Sequence, residues 1–136
     1  MTAVTFTVPG KPLGKGRPRF YAGRAITPAK TASAEAVIAY TAAPHFPSPL
    51  DGPVKLEVTA TFAPPASASR KRRVEMLHWP CTKRPDADNI GKLVGDALNG
   101  IAYRDDAQVT WLRVTKWWGE QDQLTVKVQE MRGGVE

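Results

Sequence analysis

Residues 54 to 62 read Val-Lys-Leu-Glu-Val-Thr-Ala-Thr-Phe, an unbroken alternation with Val54, Leu56, Val58, Ala60 and Phe62 on one side and Lys55, Glu57, Thr59 and Thr61 on the other. A helix repeats its apolar face every three to four residues, so this period-two pattern predicts a β-strand with one face on a core. A strand cannot stand alone, and the rest of the chain has to supply the sheet and whatever covers it.

Further strands are legible on the same grounds. Val4, Phe6 and Val8 alternate with Thr5 and Thr7 up to Pro9-Gly10. Residues 109 to 118 read as a long strand containing Trp111, Trp117 and Trp118, and Leu124, Val126 and Val128 alternate with Thr125, Lys127 and Gln129. Gly119 to Gln123 is read as the loop of an antiparallel hairpin joining these last two strands. Aromatic residues in strands are more often core than ligand contacts, so the tryptophans are assigned no base-reading role. Thr27-Pro28 opens an alanine-rich helix that must end before Pro44, with Ala36, Val37, Tyr40 and Ala43 as its expected buried stripe. Residues 44 to 53, with four prolines, form a connecting loop. The expected fold class is α/β (α+β): a single compact domain over residues 1–136, a mixed sheet with helices packed on it, and a frayed tail at 131–136.

Composition narrows the chemistry. The only cysteine is Cys81 and the only histidines are His45 and His78, which excludes an intrachain disulfide and multi-cysteine zinc and supplies zinc catalysis poorly. Cys81 is read as buried or incidental, in preference to a nucleophile. No apolar run approaches the roughly 20 residues of a membrane span, and the first ten residues lack a secretory layout, so a cytoplasmic protein with no membrane partner is expected. The net charge of +6 points toward polyanions, and residues 1 to 34 carry Lys11, Lys15, Arg17, Arg19, Arg24 and Lys30 with no acid. The loop GKPLGKGRPRF reads equally as a solvated basic loop or as one whose glycines let backbone approach a nucleic acid while Lys15, Arg17 and Arg19 face its phosphates. Arg70, Lys71, Arg72 and Arg73 form a second cationic run, read as a solvated face in preference to a nucleic-acid groove.

Against this background, residues 84 to 108, RPDADNIGKLVGDALNGIAYRDDAQ, hold five of the thirteen acids: Asp86, Asp88, Asp96, Asp105 and Asp106. Asp86 suits an N-cap, with a helix from about Ala87 to Leu98 closed by Asn99-Gly100. At roughly 100° per residue, Asp88, Lys92, Asp96 and Asn99 share a polar sector of about 80°, opposite Ile90, Leu93, Val94, Ala97 and Leu98. Asp105-Asp106 reads by itself as a turn between helix and strand; if the chain runs back antiparallel, the short link after Asn99 also lets either one return close to the helix's N-terminal end, so that three carboxylates from two elements converge where a magnesium ion and a substrate phosphate would sit, with a lysine alongside. DADNIG fails as a calcium loop, because Ile90 and Ala97 occupy its fifth and twelfth positions.

The combined pattern D-x-D-N-x-x-K, D-A-L-N-G and D-D-x-Q across residues 86 to 108, supported by GKPLGKGRPR, resembles the RusA family of Holliday-junction resolvases, the crossover junction endodeoxyribonucleases. The resemblance implies a Mg²⁺-dependent homodimer, with Mn²⁺ as a possible substitute, that nicks a four-way DNA junction symmetrically in recombination or repair. It carries the family's acidic centre to Asp86, Asp88 and Asp106 as metal ligands, with Asp105 as the alternative to Asp106, and its essential lysine to Lys92. Lys15, Arg17 and Arg19 are then the expected DNA contacts, and Asp96 is expected to face solvent only. The rivals are a non-catalytic branched-DNA-binding protein and a nuclease for branched DNA generally.

Overall fold

The computed structural model describes residues 3–17, 19–26 and 28–131. In chain order these form β1 (Ala3–Pro9), β2 (Arg19–Tyr21), β3 (Arg24–Ile26), α1 (Ala29–Ala42), β4 (Val54–Phe62), α2 (Arg70–Met76), α3 (Ala87–Ala97), β5 (Val109–Trp118) and β6 (Gln123–Glu130). The main sheet is mixed, in the order β1-β6-β4-β5, while β2 and β3 make a small separate ribbon. β4 is the inner strand that its alternation predicts: Val54, Leu56, Val58, Ala60 and Phe62 are all buried, and the intervening residues are half-buried.

The expected hairpin does not form. β5 lies parallel to β4 on one side, and β6 lies antiparallel to β4 on the other. The loop after β5 therefore crosses the end of β4, a span of about two inter-strand spacings, or about 10 Å, which four residues reach easily. It is tied there by Gly119 N donating to Phe62 O at 2.9 Å and by Ala63 N donating to the Asp122 carboxylate at 2.8 Å. Sequence proximity favoured a hairpin, and these two bonds to β4 favour the crossing. β5 is consequently an outer strand. Trp111 is 37% exposed with the Lys55 ammonium over its ring and Trp117 is half-buried, whereas Trp118, also half-buried, packs against the core and alone of the three approaches the expected role. Residues 78 to 81 run along the outer side of β5 through backbone bonds such as Cys81 N to Lys116 O, which covers part of that edge, and Cys81 is buried as expected.

The two longer helices pack with the sheet around one core. In α1 the buried side chains are Thr31, Ile38 and Ala42, whereas Val37 is 50% and Tyr40 85% exposed and Ala36 and Ala43 are exposed as well. The expected stripe was thus out of phase. Alanines on every side leave such a helix without a dominant face, and the single isoleucine decides which way it turns. Thr27, the expected capping residue, lies outside the described residues. In α3 the apolar face is as predicted: Ile90, Leu93, Val94 and Ala97 are buried, the cap residue Leu98 follows them into the core, and Gly100 at φ +81° turns the chain just beyond it.

Tyr103 folds the chain back after α3. It is fully buried, and its hydroxyl donates to Gly95 O at 2.7 Å, satisfying a carbonyl in the last turn of the helix. Burial, with the negative charges of Asp106 and Asp96, holds the phenol well above its ordinary pKa, so it stays a donor. Tyr103→Phe should lower stability by about 1 kcal/mol in urea unfolding, the net worth of one such bond. Unchanged stability would show that water or another donor replaces it. At the other end of the chain, Met131 N donates to Pro53 O at 2.8 Å, so the expected frayed tail does not begin at 131, and residues 132–136 lie outside those described.

Candidate active site

The amphipathic phase of α3 points its polar stripe along the sheet edge occupied by β5. Asp88, Lys92 and Asp96 from that stripe, Asp106 from the turn before β5, and Leu56, Val109 and Leu112 beneath them line one open cavity of about 290 Å³. Asp88, Lys92 and Asp106 are exposed and Asp96 is half-buried. The acids of two separate elements thus meet.

The Asp105-Asp106 pair is divided by local geometry. Asp105 is the N-cap of the turn Asp106–Gln108: its carboxylate accepts from Ala107 N at 2.9 Å. Gln108 completes that turn, its oxygen accepting from Arg104 N and Asp105 N while its amide nitrogen donates to Leu50 O and Gly52 O. Asp106 is left to face the cavity. Its carboxyl is held above the ordinary range, first by desolvation, then by hydrogen bonds with the Asp105 and Asp96 carboxyls and by repulsion from Asp105, with Asn99 acting in the opposite direction. Crowded carboxylates of this kind are what a cation would relieve.

Asp86 is the N-cap residue of α3, as its position predicts, but its carboxylate makes no cap bond. It lines an adjoining cavity of about 330 Å³ with Lys11, Lys15, Arg84 and Asn89, not the cavity of Asp88 and Asp106. Asp96, expected to face solvent only, instead pairs with Lys15 at 3.2 Å and lines the same cavity as Asp106. Its signal was present, since it lies on the same stripe as Asp88 and Lys92. Lys15 also pairs with Glu35 at 2.8 Å. Burial alone would lower the pKa of this ammonium, but its bonds to Glu35 and Asp96 outweigh that and raise it.

The glycine-rich loop is likewise held by the protein itself. Lys15 N donates to Asn89 O at 2.9 Å and Gly16 N to the Thr31 hydroxyl at 3.0 Å. A Cβ on Gly14 would come within 2.9 Å of Pro85 and 3.0 Å of Asn89, so glycine is needed for the loop to dock. Arg17 is exposed; Arg19 contributes its backbone to β2, and its side chain lies outside those described. Of the second cationic run, Arg70, Lys71 and Arg72 are exposed on α2, while Arg73 is taken up by Ala68 O and Pro65 O.

Among the described residues, no group of three His, Cys, Asp or Glu side chains is arranged to hold a metal ion as it stands. The donor chemistry nonetheless fits a hard divalent cation, because magnesium takes only one or two carboxylates, keeps several waters and draws other ligands from substrate phosphate. An open cavity with facing carboxylates and a neighbouring lysine meets that requirement; a closed cage would not admit the phosphate.

An acidic cavity in a strongly basic chain suits a protein that meets phosphate through a bound cation. Residues 9–129 match the family model of Endodeoxyribonuclease RusA, and the chain belongs to the RusA family of endodeoxyribonucleases. It is 35% identical over 140 residues to the uncharacterized protein YqaN of Bacillus subtilis (strain 168), covering 96% of this chain and 99% of that one. It is also 31% identical over 80 residues to the crossover junction endodeoxyribonuclease rusA of Lactococcus phage r1t, covering 58% of this chain and 56% of that protein. No helix among the described residues is long and apolar enough to cross a membrane.

Proposed function

We propose that this endodeoxyribonuclease resolves four-way DNA junctions by paired hydrolysis of two strands, acting as a homodimer with Mg²⁺, or Mn²⁺ in its place. The observation that carries this reading is the meeting of Asp88, Lys92, Asp96 and Asp106 in one open cavity of a chain with a net charge of +6. The name of the phage relative supplies the junction as substrate. A two-fold symmetric dimer suits a junction of approximate two-fold symmetry, since each site then meets an equivalent strand.

Asp88 and Asp106 would hold the cation, with Asp96 beside them in the same cavity and Asp86 in the adjoining groove. A cation held there would supply an activated water and charge stabilisation for the leaving oxygen. Lys92, on the same stripe one turn from Asp88, neutralises the scissile phosphate as its charge grows. Leu56, Val109 and Leu112 give this polar group an apolar floor, which strengthens its electrostatics. Lys11 and Arg84, beside Asp86, and exposed Arg17 bind flanking phosphates, so that junction affinity falls steeply with salt.

Competition among a labelled four-way junction, a fork, a flap and plain duplex tests the substrate. The expected result is that unlabelled junction suppresses cleavage far more effectively than the others. Equal suppression by fork or flap would make this a nuclease for branched DNA generally.

A further inference from the structure

Lys15 was expected among the phosphate-binding cations of the N-terminal loop, yet its ammonium lies 2.8 Å from Glu35 on α1 and 3.2 Å from Asp96 on α3, with its side chain only 16% exposed. The loop around it is fixed at three points: Lys15 N on Asn89 O, Gly16 N on the Thr31 hydroxyl, and Gly14 pressed against Pro85 and Asn89. Asn89 and Asp96 both belong to α3, while Thr31 and Glu35 belong to α1. The loop is therefore a brace between the two helices, and Lys15 is the part of it that reaches Asp96, one of the residues lining the acidic cavity.

We propose that Lys15 is a positioning residue for the nuclease site, bridging Glu35 and Asp96 so that the Asp96 carboxylate is held toward Asp106. Three features point the same way. An ammonium already paired with two carboxylates, both less than a third exposed, is poorly placed to grip a DNA phosphate at the surface. Asp96 lines the same cavity as Asp106 while paired with this lysine. Glu35 balances the second half of the ammonium's interactions from a helix that otherwise contributes nothing to the cavity. Without the bridge Asp96 is free to change rotamer. Small misplacements around a reacting centre cost as much as about a hundredfold in rate.

This inference rests on the nuclease reading above, and its test separates the two. Junction cleavage under single turnover at saturating protein and Mg²⁺, and junction affinity with its salt dependence in EDTA, are measured for wild type, Lys15→Met, Lys15→Arg, Asp96→Asn and the double variant Lys15→Met/Asp96→Asn. Lys15→Met should cleave about a hundredfold more slowly with wild-type affinity and salt slope, and Lys15→Arg should recover most of the rate. Because Lys15 acts through Asp96, the double variant should be no slower than Asp96→Asn alone. Weaker binding by Lys15→Met, with a salt slope reduced by about one and an unchanged saturating rate, would make it a phosphate contact and overturn the proposal. Multiplicative losses in the double variant would also overturn it. Should thermal melting show Lys15→Met to be unfolded, Glu35→Gln leaves the loop intact and removes one anchor. It should slow cleavage without weakening binding, and an unchanged rate overturns the bridge. No cleavage by wild type overturns the nuclease reading and this inference with it, whereas wild-type cleavage matched by Lys15→Met overturns the inference alone.

Discussion

Replacing Asp88 by asparagine is expected to slow single-turnover cleavage of a four-way junction by about a thousandfold, the upper range for removing one electrostatic contact to a reacting centre. Junction binding in EDTA should survive. Asp88 stands exposed in the first turn of α3, so the isosteric amide removes a charge and little packing. The helix loses a favourable interaction with its own dipole, a cost of about 0.3–1 kcal/mol and too small to unfold a domain. DNA affinity has no reason to fall either, since the change removes a negative charge from the face that meets phosphate. A large loss of rate with binding and thermal stability kept would therefore report on chemistry alone. Equal cleavage by variant and wild type would remove Asp88 from the site.

Asp106→Asn should be as damaging, and Asp105→Asn nearly silent. The two are neighbours in sequence and both exposed, so the contrast depends on what each carboxylate does. Asp105 accepts a turn amide, a task asparagine performs about as well. Asp106 faces the cavity with Asp88, Lys92 and Asp96, where an amide cannot replace a charge in holding a divalent cation. Rates measured on both variants at saturating junction and Mg²⁺ should differ by about a thousandfold. Equal losses would mean that both carboxylates serve the cation; a reversed order would make Asp105 the ligand.

What the sequence revealed depended on how strongly each segment was patterned. β4 alternates over its whole length, and α3 opposes five apolar residues to a polar stripe, so both were legible with their faces. The alanines of α1 gave no such contrast, and its buried side could be found only from what Ile38 packs among. The placement of β5 and β6 on either side of β4 was hidden for another reason: a loop of given length serves a hairpin or a one-strand crossing equally, and the deciding bonds come from Phe62 and Ala63 in a distant segment. The acidic centre shows the same division. Spacing brought Asp88, Lys92 and Asp96 together because helical periodicity is local. That Asp96 is tied to Lys15 and Glu35 is a tertiary fact, invisible to any window along the chain.

Incision of a synthetic four-way junction, labelled in turn on each strand and resolved at nucleotide level with Mg²⁺ or with EDTA, tests the central claim most directly. The expected result is a pair of nicks at symmetry-related positions on two opposing strands, present with Mg²⁺ and absent with EDTA. Junction binding with no incision under Mg²⁺ or Mn²⁺, or incision of linear duplex as readily as of the junction, would contradict it.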